Sequence, residues 1–120
     1  MSAHKDVIER YLEGFRRGDH AQILSCLTQD IVWELHGQKT VRGKDAFNAA
    51  IDTDFFEGEP ALGIYRMIEE GDAVAVTGGG RVSKKGGEQA WFVFSEVFQF
   101  SGQLISRLET YHIWVPWHAL

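Results

Sequence analysis

The sequence predicts an α+β domain, with helices in its first half and an antiparallel β-meander in its second half. Before residue 60 the apolar residues recur mostly at helical spacing. After Pro60, long runs that alternate between apolar and polar residues are separated by tight, glycine-containing turns. Strands joined by such turns pair as antiparallel hairpins, so the second half forms a sheet against which the helices pack.

Three helices are predicted. The first is capped by Ser2 or another early polar residue and ends at Gly18-Asp19, and a second, short helix follows. The third opens at Gly43-Lys44-Asp45 and ends near Phe56-Glu57-Gly58. The apolar stripes that define these helices are Val7, Ile8, Tyr11, Leu12 and Phe15; then Ile23, Leu24 and Leu27; then Ala46, Phe47, Ala50 and Ile51.

Strands occupy most of the remaining chain. They are predicted at Ile31–Leu35, Thr40–Arg42, Ala61–Glu69, Ala73–Ser83, Glu88–Phe100 and Leu104–Val115. The loop from Lys84 to Gly87 pairs Gly79 with Phe92 and Gly80 with Trp91. Glycine beneath an aromatic ring bends a strand without leaving a hole, which we favour over a phosphate-binding loop because no Lys-Ser/Thr and no helix follow.

Composition sets bounds on function. The 120 residues form one domain, 1–120, with a net charge of −5 and no basic stripe for nucleic acid. The single cysteine, Cys26, lies in an apolar helical stretch and is expected to be a buried, inert thiol. No apolar run could span a membrane, and no histidine pair has metal-ligand spacing. We expect a cytoplasmic protein without metal or cofactor.

The last two strands carry large apolar residues on both faces. One predicted face holds Phe92, Phe94, Glu96, Phe98 and Phe100, joined by Ile105, Arg107, Glu109, Tyr111 and Ile113. The helices can cover only one face. The other is therefore expected to form a homodimer interface through Trp91, Val93, Val97, Leu108 and Trp114.

Glu96 is the most unusual residue of the sheet, because it is almost alone as a polar residue in an aromatic strand. If Ser101-Gly102 is a two-residue turn, Glu96 lies opposite Arg107, and Glu109 lies diagonally on the same face. Charges are costly to bury without a reason. This trio is the predicted functional site; the alternative is a satisfied ion-pair network that fixes strand register.

The element order resembles the NTF2-like superfamily, and within it the SnoaL-like and ketosteroid isomerase-like group. The resemblance rests on Val-Ile-Glu-Arg-Tyr from residue 7, on Gly18-Asp19, and on three later segments: Asp-Ile-Val-Trp-Glu-Leu from residue 30, Arg-Gly-Lys-Asp-Ala-Phe from residue 42, and Phe-Gln-Phe-Ser-Gly-Gln-Leu-Ile from residue 98. It implies a curved, mostly antiparallel sheet wrapped by three N-terminal helices into a cone. The pocket lies inside, and the outer sheet face makes a dimer.

The ketosteroid isomerase-like group also implies roles for particular residues. Tyr11 matches the oxyanion-hole tyrosine and Glu96 the protonated carboxylic acid, whereas the base position falls on Leu35, between Glu34 and His36. A leucine cannot abstract a proton, so this isomerisation requires His36 or another group as a substitute. The Glu96–Arg107–Glu109 trio is instead similar in kind to the carboxylate–arginine–carboxylate site of limonene epoxide hydrolase-like relatives.

The sequence therefore predicts a pocket for a small apolar molecule carrying a carbonyl, hydroxyl or epoxide. In an isomerase, cyclase or hydrolase, Tyr11 would stabilise an oxyanion, Glu96 or Glu109 would exchange protons, and Arg107 would hold the pair. The predicted pocket walls are Trp33, Leu35, Phe56, Phe94, Phe98 and Tyr111. Two alternatives remain, a non-catalytic binding module and a dimerisation domain with an incidental cavity.

Overall fold

The computed structural model describes residues 2–51, 56–84 and 86–116, with the side chains of 56–59 excepted. The elements are α1 (Ala3–Arg17), α2 (His20–Ser25), β1 (Leu27–Leu35), β2 (Lys39–Arg42), α3 (Lys44–Ile51), β3 (Phe56–Glu70), β4 (Ala73–Lys84), β5 (Gln89–Ser101) and β6 (Leu104–Val115). The α+β class, the short α2 and the position of α3 after β2 are as predicted. The expectation of three N-terminal helices is not confirmed, because β1 and β2 precede α3. The predicted end of the third helix near residues 56–58 is wrong, because β3 begins at Phe56.

Side-chain caps define the first two helices. The Ser2 side chain accepts a hydrogen bond from the Lys5 amide at 3.0 Å, and α1 ends at Gly18, whose φ of 65° suits glycine. Asp19 then caps α2 by accepting from the Gln22 amide at 3.0 Å. None of the described helices is long and apolar enough to cross a membrane.

The six strands form one curved mixed sheet in the order β2-β1-β6-β5-β4-β3. The β1–β6 pair is parallel and the other pairs are antiparallel. Tyr11 of α1 is central to the core between helices and sheet, with edge-to-face contacts to Phe15, Phe98 and Phe47 at centroid distances of 5.1, 5.4 and 6.4 Å. Cys26 is fully buried, as expected.

The predicted register of β6 against β5 is wrong. The turn residues are Gly102 and Gln103, since Ser101 pairs with Leu104, and Gly102 takes the positive φ of 63° that tight hairpin turns need. A further irregularity between Gln99 and Phe100 shifts the pairing by one more residue. Glu96 therefore pairs with Thr110 rather than with Arg107.

The total shift is three residues, which is an odd number. Beyond the irregularity, each residue of β6 therefore lies on the opposite face from the one predicted. Leu108, Thr110, His112 and Trp114 lie on the inner face with Glu96, whereas Arg107, Glu109, Tyr111 and Ile113 lie on the outer face. Of the predicted dimer residues, Leu108 and Trp114 are consequently on the wrong face. Trp91, Val93 and Val97 remain on the outer side of β5.

Two aromatic rings lie directly over glycines of β4. The predicted β4–β5 register is wrong by one residue, since Gly78 pairs with Phe94 and Gly80 with Phe92. A Cβ atom on Gly78 would lie 2.7 Å from Cζ of Phe94, and one on Gly80 would lie 2.8 Å from Cζ of Phe92. The structural interpretation of the glycine run is thus confirmed, with different partners.

We expect Gly78→Ala to destabilise the protein by about 1–3 kcal/mol, because the methyl group would overlap the Gly63 carbonyl oxygen and the Phe94 ring. The matched control is Gly63→Ala on the neighbouring strand, where the new methyl group would meet only the Gly79 carbonyl oxygen, at 3.8 Å. Urea denaturation of both variants measures the difference in unfolding free energy. Equal stabilities would contradict the close approach at Gly78.

Candidate active-site pocket

A cavity of about 320 Å³ lies on the inner face of the sheet. Its lining comes from α1, β1, α3, β3, β5, β6 and the β1–β2 turn, and most of it is aromatic or aliphatic. The polar lining residues are few: Tyr11, Gln38, Glu96, Thr110 and His112. An apolar cavity with a few converging polar groups is the usual form of a small-molecule site.

Glu96 is the carboxyl group of this cavity and is only 9% exposed. Its Oε2 accepts a hydrogen bond from the Thr110 hydroxyl at 2.6 Å. Burial raises the pKa of Glu96 to about 7, although the Thr110 hydrogen bond acts in the opposite direction. Glu96 therefore exchanges its proton near neutral pH.

A short chain of hydrogen bonds fixes how Glu96 is held. The indole Nε1–H of Trp33 donates to Thr110 Oγ1 at 2.9 Å. Because an indole N–H can only donate, the threonine oxygen acts as acceptor there and directs its own proton to Glu96. Oε2 of Glu96 is thereby committed as an acceptor, which leaves Oε1 as the oxygen that can carry a proton.

Tyr11 contributes a second oxygen function and is 1% exposed. Burial, followed by the nearby Glu96 and Cys26, raises the pKa of its phenol well above the usual value. The phenol thus stays protonated at neutral pH. Among the described residues none forms a hydrogen bond with its hydroxyl, so the proton is available to a ligand.

His112 also lines the cavity, although the predicted register placed it on the opposite face. Its imidazole stacks on Phe92 at a centroid distance of 4.6 Å and meets Trp114 edge to face at 4.6 Å. Burial lowers the pKa of His112, so the ring is neutral at pH values near 7. Its titratable ring was missed because the irregularity between Gln99 and Phe100, which exchanges the faces of β6, was not predicted.

Arg107 and Glu109 do not share a face with Glu96, so the predicted trio is not assembled, either as a catalytic site or as an ion-pair network. Glu109 instead contacts His36 on the outer face, with 3.1 Å between Oε1 and Nε2, and His36 stacks on Tyr111. The error follows from the register of β6. Gly102 indicates the correct turn, but moving the turn by one residue changes the pairing by two and would leave Arg107 and Glu109 on the face of Glu96. The irregularity between Gln99 and Phe100 exchanges the faces, and the alternation of residues gives no signal of it.

The predicted pocket walls fall into three groups. Trp33, Leu35 and Phe94 line the cavity. Phe98 is fully buried beside Tyr11 and is not part of the lining, and Tyr111 is on the outer face. The side chain of Phe56 lies outside the described residues.

The raised pKa of Glu96 predicts how its replacement changes stability with pH. The folded protein holds this proton more tightly than the unfolded chain, so the group's contribution to stability is full below about pH 4.5 and is lost as the pH rises through about 7. Glu96→Gln does not titrate. We therefore expect its unfolding free energy, relative to the native protein, to increase by about 2–3 kcal/mol from about pH 5 to about pH 8.

Chemical denaturation across this pH range measures that difference. The control variant is Glu70→Gln, which removes an exposed carboxylate at the end of β3. A difference between Glu96→Gln and the native protein that does not change with pH would contradict the protonated state of Glu96.

Comparison with known proteins agrees with this architecture. Residues 8–108 match the SnoaL-like domain. An NTF2-like protein of unknown function from Burkholderia pseudomallei is 24% identical, with a TM-score of 0.85 over 94% of this chain and 92% of that one. No curated protein matches the sequence.

Two further solved structures are similar. TerC, co-crystallised with polyporic acid, is 25% identical with a TM-score of 0.82, over 93% of this chain and 92% of TerC. An LEH-like epoxide hydrolase from M. tuberculosis is 19% identical with a TM-score of 0.80, over 92% of this chain and 82% of that one. With the family match covering most of its length, this chain belongs to the SnoaL-like domain family, with the NTF2-like fold.

Proposed function

We propose that this protein binds a small, largely apolar molecule with a carbonyl, hydroxyl or epoxide group and acts on it by general acid–base chemistry. The observation that carries this proposal is Glu96, a carboxyl group with a pKa of about 7 in the wall of an otherwise largely apolar cavity. A group with a pKa near the working pH is well suited both to donate and to accept protons.

Glu96 and Tyr11 have complementary roles in this proposal. Glu96 donates a proton from Oε1 while Oε2 is held by Thr110. Tyr11 keeps its phenolic proton and donates a hydrogen bond to an oxygen on which negative charge develops. The resemblance to the ketosteroid isomerase-like group supports these roles. Arg107, which would have kept Glu96 ionised, lies on the other face of the sheet.

The cavity lining favours a neutral, flat ligand. The described lining residues include no lysine or arginine that could balance an anion, and ionised Glu96 would repel one. Aromatic side chains supply much of the wall, among them Trp33, Phe92, Phe94 and Trp114. The co-crystal of TerC with polyporic acid supports a ligand-binding role for this type of domain.

One observation favours a second candidate function, a binding module without catalysis. Leu35 lines the cavity at the position of the base in the ketosteroid isomerase-like group. In such a module Glu96 and Tyr11 would only orient a ligand. The two functions differ in whether the protein accelerates a reaction of the molecule that it binds.

The neutral bicyclic ketone 2-tetralone tests these proposals. We expect the native protein to bind it in calorimetric titrations and to accelerate deuterium exchange of its α-protons, followed by ¹H NMR in D2O. Glu96→Gln should retain binding and lose exchange by about 10²-fold or more, since general acid–base catalysis contributes at least that much.

The matched control is Glu70→Gln, which should bind and exchange like the native protein. Binding without acceleration would support the binding module and contradict the catalytic proposal. Absence of binding would contradict both. The anion 2-naphthoate should bind more weakly than the ketone, because nothing in the described lining offsets its charge.

We also propose that a second copy of this chain covers the outer sheet face. Four large apolar side chains are exposed there, of which Tyr65 at 61% and Ile113 at 60% are the most exposed; the other two are Ile68 and Tyr111. Val93 and Val97 of β5 lie between them. An apolar area of this kind on one sheet face is typical of a self-complementary interface.

Ile113→Lys should convert a dimer to a monomer, because it places a charge within this apolar face. Light scattering at micromolar protein concentrations measures the mass. The control is Ala21→Lys on the exposed side of α2, which should leave the mass unchanged. A native protein that is monomeric under these conditions would contradict the proposed interface.

A further inference from the structure

If Glu96 donates its proton to a substrate oxygen, a second group must take the proton that leaves the neighbouring carbon. The residues on either side of Leu35 cannot act in the cavity. Glu34 points away from it and accepts a hydrogen bond from Thr40 Oγ1 at 2.6 Å. His36, which the sequence suggested as a substitute base, contacts Glu109 on the outer face instead.

His112 has the position that such a partner requires. It is two residues beyond Thr110 on the inner face of β6, and Thr110 pairs directly with Glu96. Diagonal neighbours of this kind have Cα atoms about 7–8 Å apart. The two side chains therefore face the same cavity and lie within reach of one bound molecule.

The imidazole of His112 is held in place by its ring contacts rather than by hydrogen bonds. Phe92 stacks on one face at 24° between planes, and Trp114 meets the ring edge to face at 66°. Within the described part of the chain, no residue forms a hydrogen bond to either ring nitrogen. One nitrogen of the neutral ring thus offers its lone pair to a ligand.

We propose that His112 is the proton acceptor of this site and that the substrates are enolisable carbonyl compounds, with Glu96 as the matching proton donor. The inference rests on the proposed function, because it names the base and the substrate class of the same cavity. Among the described lining residues, Tyr11, Glu96 and His112 are the titratable groups. Tyr11 keeps its proton, which leaves His112 as the acceptor.

The proton transfers balance over one cycle. A ring nitrogen of His112 takes a proton from the carbon next to the carbonyl, and the C–H electron pair forms the new C=C bond. The carbonyl π pair moves onto oxygen, which takes the proton from Oε1 of Glu96, while Tyr11 stabilises the developing charge. In the reverse step the enol returns its proton to Glu96, and the imidazolium protonates a carbon. No oxidant, reductant or second substrate is needed.

Burial shifts the pKa values of the two groups in opposite directions, as this assignment requires. Burial favours the protonated, neutral form of Glu96 and the unprotonated, neutral form of His112. Paired groups whose environments shift their pKa values in this way are characteristic of acid–base sites. Near pH 7 the cavity therefore holds a proton donor and a proton acceptor at the same time.

Deuterium exchange into 2-tetralone tests His112 separately from Glu96. His112→Phe keeps an aromatic ring between Phe92 and Trp114 but removes the base, and we expect exchange to fall by 10²-fold or more while 2-tetralone still binds. The control His36→Gln removes an imidazole outside the cavity and should exchange like the native protein. Exchange retained in His112→Phe but lost in Glu96→Gln would overturn the assignment of His112 and leave the proposed function intact.

A second measurement needs no turnover. We expect binding of 2-naphthol, whose hydroxyl donates to the ring nitrogen, to shift the side-chain ¹⁵N resonance of His112, whereas binding of naphthalene should leave it nearly unchanged. Affinity for 2-naphthol should fall about tenfold in His112→Phe, with affinity for naphthalene retained. If 2-naphthol binds without moving this resonance, His112 is not the acceptor, even if the cavity is the ligand site.

Discussion

The pairing of β6 with β5 is the constraint on which the candidate site depends. Side chains alternate between the faces of a sheet, so an odd shift in register reverses which residues of β6 face the cavity. The irregularity between Gln99 and Phe100 makes the shift odd and brings Thr110 and His112 inside. In the other register, Arg107 and Glu109 would be buried among aromatic rings, where two further charges are costly.

The second constraint is the balance between burial and hydrogen bonding at Glu96. A carboxyl group without a partner in an apolar wall would remain protonated far above neutral pH, whereas several donors would keep it ionised. One donor, Thr110, leaves the pKa at about 7. Trp33 ensures that this donor points in one direction. The resulting group is poised between its two protonation states because it has one hydrogen bond.

Most of the fold could be predicted from the sequence, because hydrophobic periodicity and turn residues identify the elements. The bounds of β4 to β6 were correct to within one residue, and Ser2 was recognised as a cap. Glu96 could be found because it is a charged residue in an aromatic strand. Tyr11 could be found because it matches the oxyanion-hole tyrosine of the ketosteroid isomerase-like group. His112 and Thr110 could not be found from alternation alone. A single irregular step in a strand is invisible to periodicity, yet it changes the face of every residue that follows.

The glycines beneath Phe92 and Phe94 have a consequence for how related proteins could diverge. Both rings line the cavity, and each rests on the bare backbone of β4. A larger residue at Gly78 or Gly80 would overlap both a carbonyl oxygen of β3 and the ring. Where β3 shifts to accommodate it, the ring would move inwards and reduce the space for a ligand, although neither position lines the cavity itself. Residues of β4 that do not line the cavity can therefore set the size of the molecule that it admits. The range of ligands could change in evolution while Glu96, Thr110 and His112 remain where they are.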